Sequence, residues 1–145
     1  MRAFGFGQET GIELPGESAG LLRSSDDWQG RDRYVTMFGQ AYAITAVQEA
    51  SALATIANGG VRITPHIVKS WTNADGTVEV PEGTQPVQVL EATTASQLLT
   101  MMESVVEDDL GTAAASKVPG YRVAVKTGTA ETIIDGLSGL VSTTA

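Results

Sequence analysis

Two stretches of helical periodicity, each opened by a Thr-x-x-Gln box and each followed by glycine, constrain this 145-residue chain more than any other feature. Thr45-Ala46-Val47-Gln48 has the form of a capping box, in which the threonine hydroxyl accepts the N3 amide and the glutamine reaches back. Val47, Ala50, Leu53, Ala54 and Ala57 then recur at spacings of three or four, predicting a helix over 45–58. Its many alanines suggest close packing in the interior, and Asn58-Gly59-Gly60 supplies a left-handed stop. Thr94-Ala95-Ser96-Gln97 opens the second helix, predicted over 94–109, with Leu98, Met101, Met102, Val105 and Val106 as its buried face and Gly111 as its stop. Between the two, residues 61–80 read as two strands. One holds Ile63, Ile67, Val68 and Trp71, the other Thr77-Val78-Glu79-Val80, with Asn73-Ala74-Asp75-Gly76 as the hairpin turn. Residues 81–92 read as a loop with a short strand at Val87-Gln88-Val89, and residues 1–34 as glycine-punctuated loops. Tyr121, Val123 and Val125 alternate with Arg122, Ala124 and Lys126, so 121–127 reads as a strand. The fold class that follows is α+β: an antiparallel sheet carrying the Lys126 strand, with helices covering its faces.

Composition removes several functions. The 17 acidic and 9 basic residues give a formal charge of -8, and the basic residues are scattered, which argues against nucleic acid as a partner. There is no cysteine, so disulfides, thiolate catalysis and cysteine-based zinc sites are excluded. The single histidine, His66, rules out a His-rich metal site, and no metal or cofactor is expected. His66 itself reads as a structural or surface histidine. No apolar run reaches the ~18 residues of a membrane span, and Met1 to Gly7 lacks the apolar core of a signal peptide. Membrane association is therefore expected only through an N-terminal anchor outside these residues.

The residues that carry chemistry are Lys126-Thr127-Gly128-Thr129, followed by Ala130. A strand edge offers a backbone amide as an oxyanion donor. Gly128 lets a peptide approach without a Cβ in the way, Lys126 supplies a positive charge for a substrate carboxylate, and Thr129 adds a hydroxyl beside it. Taken alone, the tripeptide reads first as a lysine at a strand end followed by a turn. Glu107-Asp108-Asp109 reads as a solvated face, Met101-Met102 as core, and Trp28 and Trp71 as packing anchors.

The surroundings of the tripeptide change its reading. Phe4-Gly5-Phe6-Gly7 and Thr10-Gly11-Ile12-Glu13-Leu14-Pro15-Gly16-Glu17 come first. Phe38-Gly39-Gln40 with Ile44-Thr45-Ala46-Val47-Gln48, and Ala57-Asn58-Gly59-Gly60 with Thr64-Pro65, follow. Val118-Pro119-Gly120-Tyr121-Arg122-Val123-Ala124 then leads into Lys126-Thr127-Gly128-Thr129-Ala130. In this order and spacing, over roughly residues 4 to 130, the chain resembles class B penicillin-binding proteins, most closely the division- or elongation-specific transpeptidases of Gram-positive bacteria. The resemblance implies part of a penicillin-binding/serine β-lactamase-like domain. It implies a parent that joins peptidoglycan stem peptides through an acyl-serine, binds β-lactams, and works at the extracytoplasmic face of the bacterial membrane beside other cell-wall synthesis proteins. It also implies that Lys126 and Thr129 are catalytic. Lys126 holds the substrate carboxylate and polarises the protons of the middle-motif serine; Thr127, Gly128 and Thr129 line the substrate site, and the Thr129 amide is half of the oxyanion hole.

Two family motifs are missing. Lys69, Lys117 and Lys126 are preceded three residues earlier by His66, Ala114 and Val123, so no Ser-x-x-Lys is present. Asn58 and Asn73 follow Ile56 and Trp71 at the Ser-x-Asn spacing. Residues 1–145 are accordingly expected to be a partial transpeptidase domain, without the N-terminal part that carries both motifs and without its C-terminal end. Such a chain is expected to be inactive alone. The rival readings are a serine β-lactamase or carboxypeptidase and a catalytically silent interaction module; Leu14-Pro15-Gly16-Glu17 favours the transpeptidase.

Overall fold

The computed structural model describes residues 1–80, 85–134 and 137–144, and from Thr129 onward the backbone only. The chain forms two compact units. One comprises Met1–Leu21 and Ile44–Ala92; the other comprises Leu22–Ala43 and the chain from Thr93 onward. The class is α+β, with every described strand pairing antiparallel.

In the first unit, helix α2 (Ala46–Ala57) begins where its capping box requires. The Gln48 amide donates to the Thr45 hydroxyl at 3.2 Å, and the Thr45 amide donates to the Gln48 side-chain oxygen at 2.8 Å. The same glutamine donates its Nε2 to the Gln8 and Ala19 carbonyls at 2.8 and 3.0 Å, and is 1% exposed. One side chain therefore caps the helix and pins the N-terminal loop against it, with its polar atoms satisfied as burial demands. Thr55, also 1% exposed, lies on the same side and donates to the Ser51 carbonyl.

The expected interior packing of the alanine stripe does not occur. Ala50, Leu53, Ala54 and Ala57 are exposed, because the loop packs on the Gln48–Thr55 side instead. The alanine face is left beside an open apolar groove of about 690 Å³, lined among others by Ile12, Val47, Ala50, Ala54, Val61 and Ile63.

Past the helix end, Gly60 sits at φ +85° and accepts amides from Val89 and Leu90. There β1 (Val61–Arg62) pairs with β4 (Val87–Gln88). Strands β2 (Trp71–Thr72) and β3 (Val78–Glu79) form the expected hairpin, with Gly76 at φ +86° and Asp75 accepting the Thr77 amide and hydroxyl. Ile63 to Val68, expected as strand, is not one, since the Ile67 amide goes to the Glu13 carboxylate at 2.9 Å instead of a ladder partner.

The second unit holds the short helix α1 (Asp32–Val35), flanked by 3₁₀ turns at Ser25–Asp27 and Thr36–Phe38, and the long helix α3 (Ala92–Glu107). Helix α3 starts two residues before the expected box, so Thr94 lies inside its first turn; Ala92 and Thr93 carry nothing that breaks a helix. Its buried positions are Ala95, Met102 and Val106, whereas Met101, expected in the core, is 60% exposed. Helical geometry forbids adjacent residues from sharing a narrow face, and the seam passes through Met102. Strands β5 (Thr127–Ile134) and β6 (Leu137–Thr144) form a hairpin in continuous register from Thr127↔Thr144 to Ile134↔Leu137. The expected strand over 121–127 is thus displaced: pairing starts only at Thr127. Residues 122–126 precede it with no strand partner among the described residues, and Val125 gives its amide to helix α3.

Candidate functional site

Lys126-Thr127-Gly128-Thr129 stands at the junction between a segment docked on α3 and the first residues of β5. Alternation decides which side chains are free. Val125 is 7% exposed and packs with Val106 and Ala113, with Val105 and Val123 against them. Its amide donates to the Met102 carbonyl at 3.2 Å, and the Ala113 amide donates to the Val105 carbonyl at 3.1 Å. Val125 is turned inward, and Lys126 beside it is exposed, as a charged residue without a buried partner must be. Its ammonium donates to the Thr127 carbonyl at 2.6 Å, folded back on its own backbone.

Thr127 and Gly128 are half-buried and pair with Thr144 and Thr143. Among the described strands, β5 pairs with β6 alone, so its other edge has no strand partner. A strand edge of this kind, with glycine as its second residue and a lysine at its mouth, can accept an extended peptide and present amides to a carbonyl oxygen. Thr129 has its backbone in β5; the expectation for its side chain lies outside the described residues.

The structure brings Lys126, Thr127 and Gly128 together as consecutive residues of one edge. It adds two that the sequence did not mark as site residues, Glu103 and Arg122, whose side chains bond at 2.7 and 3.2 Å just upstream of Lys126. Their separation of 19 residues gave no local signal. In the first unit the Leu14-Pro15-Gly16-Glu17 segment is built around carboxylates. Glu17 accepts the Thr10 hydroxyl and the Thr10 and Gly11 amides. These bonds, the hydroxyl first, hold its pKa below the usual carboxylate value. Glu13 is lowered likewise by the Ile67 amide. His66 lines the groove beside α2 and is exposed, as expected of a surface histidine. Among the described residues, no cluster of three or more His, Cys, Asp or Glu could hold a metal ion, and no helix is long and apolar enough to cross a membrane.

Residues 1–144 match the family model of the penicillin-binding protein transpeptidase domain. The chain belongs to this family. Penicillin-binding protein PbpB of Mycolicibacterium smegmatis is 42% identical over 92% of this chain and 21% of its own length. The peptidoglycan D,D-transpeptidase FtsI of Escherichia coli is 32% identical over 90% of this chain and 20% of its own length. The chain therefore spans about a fifth of the length of these relatives. Among solved structures, penicillin-binding protein 3 of Mycobacterium tuberculosis superposes with a TM-score of 0.89 at 38% identity, covering 97% of this chain and 32% of that one. It has been determined in the apo form and in complex with aztreonam and with ampicillin. The class B penicillin-binding character read from the sequence and the α+β transpeptidase fold both hold.

Proposed function

We propose that these residues are the Lys-Thr-Gly-Thr half of a serine-type peptidoglycan D,D-transpeptidase, whose nucleophile belongs to a part of the domain outside residues 1–145. The observation that carries this reading is the Lys126-Thr127-Gly128 edge itself. An exposed lysine leads a strand whose outer edge has no partner among the described residues, in a chain of the transpeptidase family.

In this reading the parent acylates a serine with the end of one stem peptide and passes the acyl group to an amine of a neighbouring stem. Lys126 swings from the Thr127 carbonyl to the substrate carboxylate and to the protons of the middle motif. Thr127 and Thr129 line the carboxylate, Gly128 leaves room for the peptide backbone, and the Thr129 amide supplies one oxyanion donor. β-Lactams occupy the same edge as mimics of the donor peptide, and the reaction takes place at the outer face of the membrane. The named activity of FtsI and the aztreonam and ampicillin complexes of the M. tuberculosis protein support it.

Lys126→Ala in the intact parent should slow acylation by a fluorescent penicillin by ~10²-fold, the scale of losing one positioned electrostatic group. The fold should survive, since the side chain is exposed. Unchanged acylation kinetics would sink the assignment.

A further inference from the structure

The register of the Lys126 edge is not set by its own ladder. Pairing with β6 begins at Thr127, and residues 122–126 have no strand partner among the described residues. A one-residue slip of this segment would bring Lys126 to the place where Val125 packs and turn Val125 out to solvent. Something other than a ladder must hold these residues in place, and α3 carries the contacts that do.

Three neighbouring residues of α3 are involved. The Met102 carbonyl takes the Val125 amide, Val106 packs on the Val125 side chain, and Glu103 takes Arg122. Both Arg122 Nε and its terminal nitrogen donate to one Glu103 oxygen, at 3.2 and 2.7 Å. Glu103 is the more enclosed partner, with its side chain 23% exposed against 81% for Arg122. The Val125 bonds are apolar or main-chain and would tolerate a neighbour of similar shape. The ion pair is directional, and it is the contact that distinguishes Arg122 from the residues on either side.

We propose that Glu103, acting through Arg122, is a positioning residue for the Lys126–Thr129 edge. The pair is a latch on α3 that keeps the segment before Lys126 in the register that leaves its side chain exposed. As a contribution to catalysis this rests on the transpeptidase reading above; as a contribution to order in the segment it does not.

The test uses the intact parent with Glu103→Arg, Arg122→Glu and the double exchange. Two quantities are measured: the rate of acylation by a fluorescent penicillin, separated into non-covalent binding and the acylation step, and amide hydrogen exchange over 122–129. Each single variant should slow the acylation step roughly tenfold, the order of a small misplacement of a reacting group, with little change in initial binding. Each should also raise exchange several-fold over 122–129, and the double exchange should restore both. Exchange that does not respond, or single defects that the double variant leaves uncorrected, would overturn the proposal. Wild-type parent that takes no penicillin label would overturn the transpeptidase reading, while a restored exchange pattern would still support the latch.

Discussion

Gly60 is where the first unit is most vulnerable to a single methyl group. A Cβ built on it lies 2.2 Å from the Leu90 carbonyl oxygen, 2.8 Å from its carbon and 3.0 Å from the Leu90 Cβ. These are mainly backbone atoms, so relief requires the 89–90 segment to withdraw. That withdrawal breaks the Val89 and Leu90 amide bonds to the Gly60 carbonyl, each worth about 1 kcal/mol net. The φ of +85° adds about 1 kcal/mol for any residue with a Cβ. Gly60→Ala should therefore destabilise by about 3 kcal/mol. Gly59 is the control, at φ +65° with nothing within 4 Å of its built Cβ. Gly59→Ala should cost only the left-handed term, about 1 kcal/mol. The loss of unfolded-state entropy on placing alanine is common to both variants and cancels between them. Urea denaturation of the intact parent compares the two. Equal midpoints and slopes for the variants would refute the claim that the Leu90 contact fixes the helix end.

The loop carboxylate gives a pH signature. Glu17 has a folded pKa below its unfolded value, so its stabilisation is present above the unfolded pKa, near 4.5, and is lost as pH falls through the lowered folded value. Glu17→Gln should reduce the melting temperature at pH 7, and the difference should shrink as pH falls below the ordinary carboxylate range; a difference undiminished in acid would contradict the assignment. Ala41 has φ +65°, a strained conformation for alanine, so Ala41→Gly should stabilise by about 0.5–1 kcal/mol, measured by thermal melting. Residues 1–145 alone should form no covalent adduct with a fluorescent penicillin on a denaturing gel, because they contain no Ser-x-x-Lys. They should also self-associate in size-exclusion chromatography through the apolar groove beside α2, and a sharp monomer peak would contradict that.

What the sequence determined by itself is local. The Thr45–Gln48 box starts α2, Asn58-Gly59-Gly60 ends it, and Asn73 to Gly76 turns the β2–β3 hairpin. Each works through hydrogen bonds or backbone preferences within a few residues, so each is written in adjacent letters. The order of the motifs was enough to name the family. What only the tertiary structure decided depends on partners distant in the chain. Periodicity marked the alanine face of α2 as core, but the N-terminal loop docks on Gln48, and Ala50 and Ala54 face a groove. Alternation marked 121–127 as a strand, but the Val125 amide is taken by Met102 and pairing waits until Thr127. Glu103 and Arg122 meet across 19 residues. Hydrophobic pattern says which side chains avoid water, and only the folded chain says what covers them.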